Sequence, residues 1–210
     1  MPTTITRIQK TRLGRFSLYG EEGFLFSLDS ETYFSCGVEE GDILTDNDLA
    51  ALREKSDARK AKDKALQYLS LRLYGERELY DKLCLKFDGP TSAAAVAEMV
   101  RLELLDDARF AAQKAAWLQT RHKSRREAQR QLAEKGVDRD LIDEALDEVY
   151  GDGDEREEID RLIQRSYAAK LENGRRDAVY AALCRRGFAP RTVREALNDW
   201  ADAQQEGWDE

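Results

Sequence analysis

Apolar and polar positions alternate with a period of two over the first 44 residues. Phe16 and Leu18 precede the turn Gly20-Glu21-Glu22-Gly23, and Phe24, Phe26 and Leu28 follow it. That pattern predicts a hairpin in a sheet of about three short strands, with these five side chains on one face. Ile5-Thr6-Arg7-Ile8 opens the zone, and a short helical turn is expected over Ser30–Cys36, interrupted by Gly37 and Gly41. A small sheet of this size is marginal alone and must pack on something.

From Thr45 onward the period changes to 3.6. Thr45 can cap a helix, with Asp48 three residues later at its positive end. Leu66, Leu69 and Leu73 form one apolar stripe, Leu79, Leu83 and Phe87 a second, and Val96, Met99, Val100 and Leu104 a third. Further stripes run through Phe110, Trp117 and Leu118, then Leu141, Ile142, Ala145, Leu146 and Val149, and finally Val193, Ala196, Leu197 and Trp200. Amphipathic helices are expected throughout. Gly75, Gly136 and Gly187 sit where C-terminal caps are expected, Ser124 with Glu127 reads as a capping box, and Pro190 suits the first position of a helix.

The helical zone repeats. Leu132, Lys135 and Gly136 recur as Leu183, Arg186 and Gly187, each 51 residues later, and Glu144-Ala145-Leu146 recurs as Glu195-Ala196-Leu197. Leu83 lies 49 residues before Leu132 and marks a weaker upstream copy that places Cys84 and Cys184 at equivalent positions. Units of about 45–50 residues bury little surface alone and gain a shared core by stacking. The fold class expected is therefore mainly α: tandem three-helix repeats in an elongated curved array, with a small β-rich N-terminal extension. The boundaries expected are 1–55 for the extension, ending in a helix, then repeats over 56–106, 107–150 and 154–202. A short polar link, Gly151–Asp154, separates the last two, and residues 203–210 form an acidic tail.

Composition narrows the class. The 210 residues carry 34 Lys+Arg against 42 Asp+Glu, a net charge of −8, and 41% are hydrophobic. That is too apolar for a disordered chain, and no stretch approaches the roughly 20 apolar residues of a membrane span. The start, Met1-Pro2-Thr3-Thr4-Ile5-Thr6, lacks the pattern of a secretory signal. Three cysteines, far apart, exclude a disulfide framework and point to a reducing, cytoplasmic setting.

The net charge hides segregation. Lys114 to Arg130 holds six basic residues and one acid, whereas Asp138 to Asp160 holds 12 acids and two arginines. A second basic cluster comprises Arg175, Arg176, Arg185, Arg186, Arg191 and Arg194, and a third Lys55, Arg59, Lys60, Lys62 and Lys64. Basic stripes on helices neutralise phosphates or meet an acidic protein face. The acidic run argues against simple wrapping of nucleic acid.

Catalytic chemistry is missing. His122 is the only histidine and sits among Arg121, Lys123, Arg125 and Arg126, where a solvated or phosphate-contacting role is expected. There is no Gly-rich phosphate loop, no metal-ligand spacing and no nucleophile arrangement. Cys84, Cys184, Trp117 and Trp200 are expected in the core. Asp106-Asp107 reads as a helix start, not an acid/base pair. An enzyme is not expected, and no cofactor is called for.

Four stretches together resemble the RecX family, the bacterial regulators of the RecA recombinase. They are Ala65-Leu66-Gln67-Tyr68-Leu69 with Gly75-Glu76-Arg77-Glu78-Leu79 and Lys82-Leu83; Leu104-Leu105-Asp106-Asp107-Ala108-Arg109-Phe110; Arg121 to Arg126 with Gln131-Leu132 and Lys135-Gly136-Val137; and Arg185-Arg186-Gly187-Phe188. The likeness covers roughly 58–200, and the first 55 residues are similar to the β-rich extension of some members. It implies binding in the groove of the RecA–DNA filament, bridging protomers, with contact to single-stranded DNA inside it. It also implies inhibition of RecA ATPase, strand exchange and coprotease activity, and so a role in recombination, DNA repair and the SOS response. Arg121, Lys123, Arg125, Arg126 and Arg130 are the expected central contact, extended by Arg175, Arg176, Arg185, Arg186, Arg191 and Arg194, on a monomer that needs no membrane. Two rivals stand beside this reading: a single-stranded nucleic-acid-binding module acting without RecA, and a helical scaffold unconnected with recombination.

Overall fold

The structure is a computed structural model that describes residues 2–151 and 153–206. The chain divides between Leu105 and Asp106 into two compact units.

In the first unit the alternating zone forms strands. β1 (Thr3–Thr4) pairs antiparallel with β5 (Ile43–Leu44), and β2 (Arg7–Lys10), β3 (Phe16–Gly20) and β4 (Gly23–Leu28) form an antiparallel meander. Leu18 lies between Ile8 and Phe26 in register, and Ile5, Leu18, Phe26 and Leu28 are buried with Val38 and Leu52. Phe24 leaves the expected face and is 60% exposed. The register shifts so that Leu18 pairs with Phe26 but Tyr19 with Phe24, leaving Leu25 as an extra residue. A one-residue bulge reverses the phase of the strand. Leu25 therefore packs on the core, while the Phe24 ring meets the Tyr19 ring edge-on.

Helix α1 (Ser30–Cys36) is capped by Asp29, whose carboxylate accepts from Thr32 N at 3.0 Å. Helix α2 (Asp46–Leu69) starts with the expected capping box, Thr45 and Asp48 each accepting from the other's backbone N–H. It is continuous across residues 55 and 56, where the sequence pattern suggested a division. Leu52 reaches the sheet core, whereas Ala61 and Ala65 pack with Leu79, Leu83, Val96 and Met99 from α3 (Glu76–Cys84) and α4 (Gly89–Arg101). These alanines, not Leu66, face the helical core, because α4 packs closely on that side. Leu66, Val100 and Leu104 are exposed, and Leu73 lies past the end of α2. Gly75 is not a C-terminal cap. Its φ is −78° and it precedes the first residue of α3. Cys84, the last residue of α3, is exposed, since Leu83 fills the core position beside it.

The second unit holds α5 (Asp107–Thr120), α6 (Arg125–Glu134), α7 (Arg139–Tyr150), α8 (Glu155–Leu162), a π-helical turn at Ile163–Tyr167, α9 (Ala168–Glu172), α10 (Arg176–Arg185) and α11 (Pro190–Glu206). Pro190 is the first residue of its helix, as expected. Phe110, Leu118, Leu132, Ile142 and Leu146 are buried among α5–α7. Ile159, Leu162, Ile163, Leu183, Phe188 and Leu197 are buried among α8–α11, with Trp200 packed against them.

The 51-residue repeat is visible bond by bond. Lys135 N donates to Leu132 O and Arg186 N to Leu183 O, both at 3.0 Å; Val137 and Phe188 N then return to the same carbonyls at 3.3 and 3.4 Å. Gly136 and Gly187 take φ of 77° and 96° between them. Two residues leave their expected places. Trp117 is 47% exposed, held under Lys114 Nζ and the Arg121 guanidinium at 4.3 and 4.8 Å from its ring, because α5 turns Ala111, Ala115 and Leu118 inward. Cys184 is only partly buried, at the rim of the last core. The expected tail begins inside α11, and Asp152 of the link and residues 207–210 lie outside the described residues. No helix among the described residues is long and apolar enough to cross a membrane.

Candidate functional site

The basic run from Arg121 to Arg126 spans the turn between α5 and α6 and the first two residues of α6. Lys123 N returns to Leu118 O at 3.0 Å, which forces His122 into the left-handed region at φ 53°. Ser124, 1% exposed, caps α6 by accepting from Glu127 N at 3.2 Å. The reciprocal half of the expected capping box is missing. The Glu127 carboxylate instead accepts from Arg130 at 2.8 and 2.9 Å and from Gln131 at 2.8 Å. The Arg130 hydrogen bonds, helped by Gln131, pull Glu127 down to about 2 against the cost of its burial.

This turn is fastened to the end of α10. Ser124 N donates to Arg186 O at 3.0 Å, and Lys123 Nζ donates to Arg185 O at 2.9 Å. Tyr150 OH donates to Lys123 O at 3.1 Å from α7. Gly187 completes the joint. A Cβ there would lie 2.3 Å from Glu127 Cβ and 2.7 Å from Ser124 Oγ. No side chain fits, so glycine is needed for closeness as well as for its φ.

The eleven cations singled out in the sequence fall into two groups. Arg125 is bound to Asp147 at 2.5 Å, Arg130 to Glu127 and Glu134, Arg191 to Glu195 at 2.8 Å, and Arg176 to Asn198. Lys123 is held by the Arg185 carbonyl, and Arg194 lies by Tyr180, 3.4 Å from its hydroxyl. Arg186 is turned inward over the Tyr167 ring at 5.5 Å, with one guanidinium nitrogen buried and without a partner among the described residues. By contrast the side chains of Arg126, Arg175 and Arg185 are exposed and have no hydrogen bond or ion pair among the described residues, and Arg121 has only the Trp117 ring. The third basic cluster is largely paired: Arg59 with Glu31 and Asp63, Lys60 with Asp57, and Lys62 with Glu98.

A cleft of about 590 Å³ opens beside the turn. Its lining includes His122, Arg125, Arg126 and Tyr150 on one side and Glu155, Glu158, Arg161 and Arg165 on the other. Arg161 and Arg165 were missed in the sequence because they lie just past the acidic run. Their spacing of four residues is the signal that they share a helix face. Burial pushes the Glu158 carboxyl above its ordinary range, and burial pushes the Tyr150 phenol up to about 12. No group of three or more His, Cys, Asp or Glu among the described residues is placed to hold a metal ion.

Comparison with known proteins gives these units a family. The model of the first RecX three-helix domain matches residues 61–99, and that of the second matches residues 106–146. The chain thus carries two RecX three-helix domains, one after the other. The Regulatory protein RecX of Caldanaerobacter subterraneus subsp. tengcongensis is 27% identical over 198 residues, which is 92% of this chain and 98% of that protein. The RecX of Staphylococcus aureus (strain JH9) is 26% identical over 210 residues, covering 97% of this chain and 76% of that one. A crystal structure of regulatory protein RecX superposes with a TM-score of 0.59 at 22% identity, covering 94% of this chain and 99% of the other. RecX from Lactobacillus salivarius gives 0.51 at 20% identity over 68% of this chain and 96% of that chain. At these identities the two structures show a shared RecX fold. The second RecX domain model ends at residue 146, so it covers α5, α6 and most of α7, including the basic turn.

Proposed function

We propose that this RecX-family chain is a non-enzymatic regulator of RecA. It works in the cytoplasm as a monomer that binds along the groove of the RecA–DNA filament and bridges its protomers. Bridging would restrict the subunit movements that ATP hydrolysis needs, and so suppress ATPase, strand exchange and coprotease activity. The observation that carries the reading is the match of both family domains in their order along one chain. The cations without a hydrogen bond or ion pair among the described residues, Arg121, Arg126, Arg175 and Arg185, are the contacts assigned to the filament. Arg125, Arg130 and Arg191 are already engaged in ion pairs and are assigned a lesser share of that contact. Exposed guanidinium groups without an acid alongside are the ones able to form bidentate bonds to carboxylates or phosphates.

The test is single-strand-dependent ATP hydrolysis by the cognate RecA, with the protein titrated in below one per protomer. Suppression well below equimolar is expected. Arg121→Glu with Arg126→Glu should raise the concentration needed by at least tenfold, because two charge-assisted contacts become repulsive. Hydrolysis that never responds to the protein would overturn the RecA reading, and equal suppression by the double variant would remove the turn from it.

A further inference from the structure

The first unit carries a groove of about 490 Å³ where its sheet meets its helices. Phe24, Leu25 and Phe26 of β4 line it, and β4 is an edge strand of its sheet. Helix α2 supplies Asp46, Leu49, Arg53, Glu54 and Asp57, and the start of α4 supplies Asp88 and Thr91. The α2 residues recur at intervals of three and four, so they share one face of the helix. The bulge at Leu25 is what brings Phe24 to this groove. It turns the ring away from the sheet core and leaves it 60% exposed, with the Tyr19 ring edge-on at 5.7 Å. Bulges that re-aim a side chain in this way are over-represented beside functional sites.

The charge of the groove is one-sided. Four carboxylates, Asp46, Glu54, Asp57 and Asp88, line it with one guanidinium, Arg53, which lies over the Phe26 ring at 5.6 Å. Asp57 accepts from Lys60 Nζ at 2.6 Å, and Asp88 caps α4 by accepting from Thr91 N at 2.8 Å. Lys60 offsets one acid and a backbone cap offsets none, so the groove stays negative. Glu54 is exposed and has no hydrogen bond or ion pair among the described residues. A negative surface repels phosphates, which excludes a strand of nucleic acid or an anionic lipid. No group of three or more acids among the described residues is placed to hold a metal ion. What the groove complements is an apolar side chain against Phe24, Leu25 and Leu49, with lysine or arginine beside the carboxylates. Apolar contact at the centre supplies binding, and opposite charge at the rim supplies orientation. The α2 face from Asp46 to Asp57 spans roughly 16 Å at about 1.5 Å per residue. That is the length of about five extended residues.

We propose that this groove docks a short basic segment of a partner protein, with an apolar side chain on Phe24 and cations on Glu54 and its neighbouring carboxylates. The test uses the full chain and the fluorescein-labelled peptide Lys-Leu-Arg-Leu-Lys-Leu-Arg, followed by anisotropy. Saturable binding is expected, weakening as salt rises from about 0.05 to 0.5 M. Phe24→Ser should weaken it at least tenfold, since it removes the aromatic anchor. Phe24→Leu should keep most of the affinity, and Glu54→Lys should lose about threefold, as for one exposed charge contact. Amide exchange should slow in residues 23–28 and 46–57 when the peptide is added. Each variant should unfold near the wild-type temperature; if the Ser variant does not, Glu54→Lys and the exchange pattern decide. No binding of this peptide overturns the proposal. Equal binding of Lys-Ser-Arg-Ser-Lys-Ser-Arg, or unchanged affinity in Phe24→Ser, also overturns it, because charge alone would then explain the contact. Self-association in sedimentation that Phe24→Ser abolishes would seat a second copy in the groove and overturn the partner segment. Each of these results leaves the RecA reading untouched, since that reading is decided by ATP hydrolysis alone.

Discussion

Two residues in the basic turn show how local strain and local need differ. His122 holds φ 53° at the position that Gly174 occupies, at φ 71°, after α9. Left-handed backbone costs a non-glycine residue about 1–2 kcal/mol, partly returned here by the lower chain entropy that His loses relative to Gly. His122→Gly should therefore stabilise the protein by about 0.5–1 kcal/mol, measured as a higher denaturant midpoint with an unchanged slope. An unchanged or lower midpoint would mean that the imidazole makes contacts worth as much as the strain. Trp117 teaches a different lesson. Its spacing matched a core stripe, yet it lies outside under two cations. Periodicity finds the helix but does not separate a ring at the stripe's margin from one at its centre.

At the scale of elements, the joint between the basic turn and the end of α10 depends on one missing side chain. Gly187→Ala would add a Cβ in contact with Glu127 and Ser124 and force a left-handed alanine. Overpacking and backbone strain together should cost about 2–4 kcal/mol. A drop of roughly 5–15 °C in the unfolding temperature is expected. Gly136→Ala carries the same φ problem at the equivalent position of the repeat and serves as the comparison. Equal losses would show that φ alone matters at both sites. Most elements were legible in the sequence, because capping signals are local. Thr45 with Asp48, Asp106, Ser124 and Pro190 all stand at helix starts. Gly75 was misread because its neighbours resemble a helix end, while its φ is an ordinary one. Phe24 was misplaced because a bulge leaves no mark in an alternating pattern.

At the scale of the whole molecule, charge is arranged in pairs more than in fields. Glu98 and Glu127 are each drawn down to about 2, chiefly by hydrogen bonds from Arg101 and Arg130. A carboxyl lowered in the folded state stabilises fully above its unfolded value near 4.5, and that contribution fades as pH falls toward 2. The unfolding temperature should therefore be flat above about pH 5 and decline below it, and Glu127→Gln should flatten part of the decline. A profile identical to wild type in that variant would mean that the pair is screened in solution. The candidate surface was legible only as a list of arginines. Which of them are available depends on acids distant in sequence, such as Asp147 for Arg125, and pairing of that kind has no period to read.

Helix α2 has 24 residues and, at about 1.5 Å each, spans roughly 36 Å. Its first half is seated in the sheet core and its second half in the helical core, with no glycine or proline between them. Within this unit the β-rich head is therefore not a tethered appendage that can swing. It is the far end of a stiff lever, and a load on the sheet is carried along one continuous helix into the helical core.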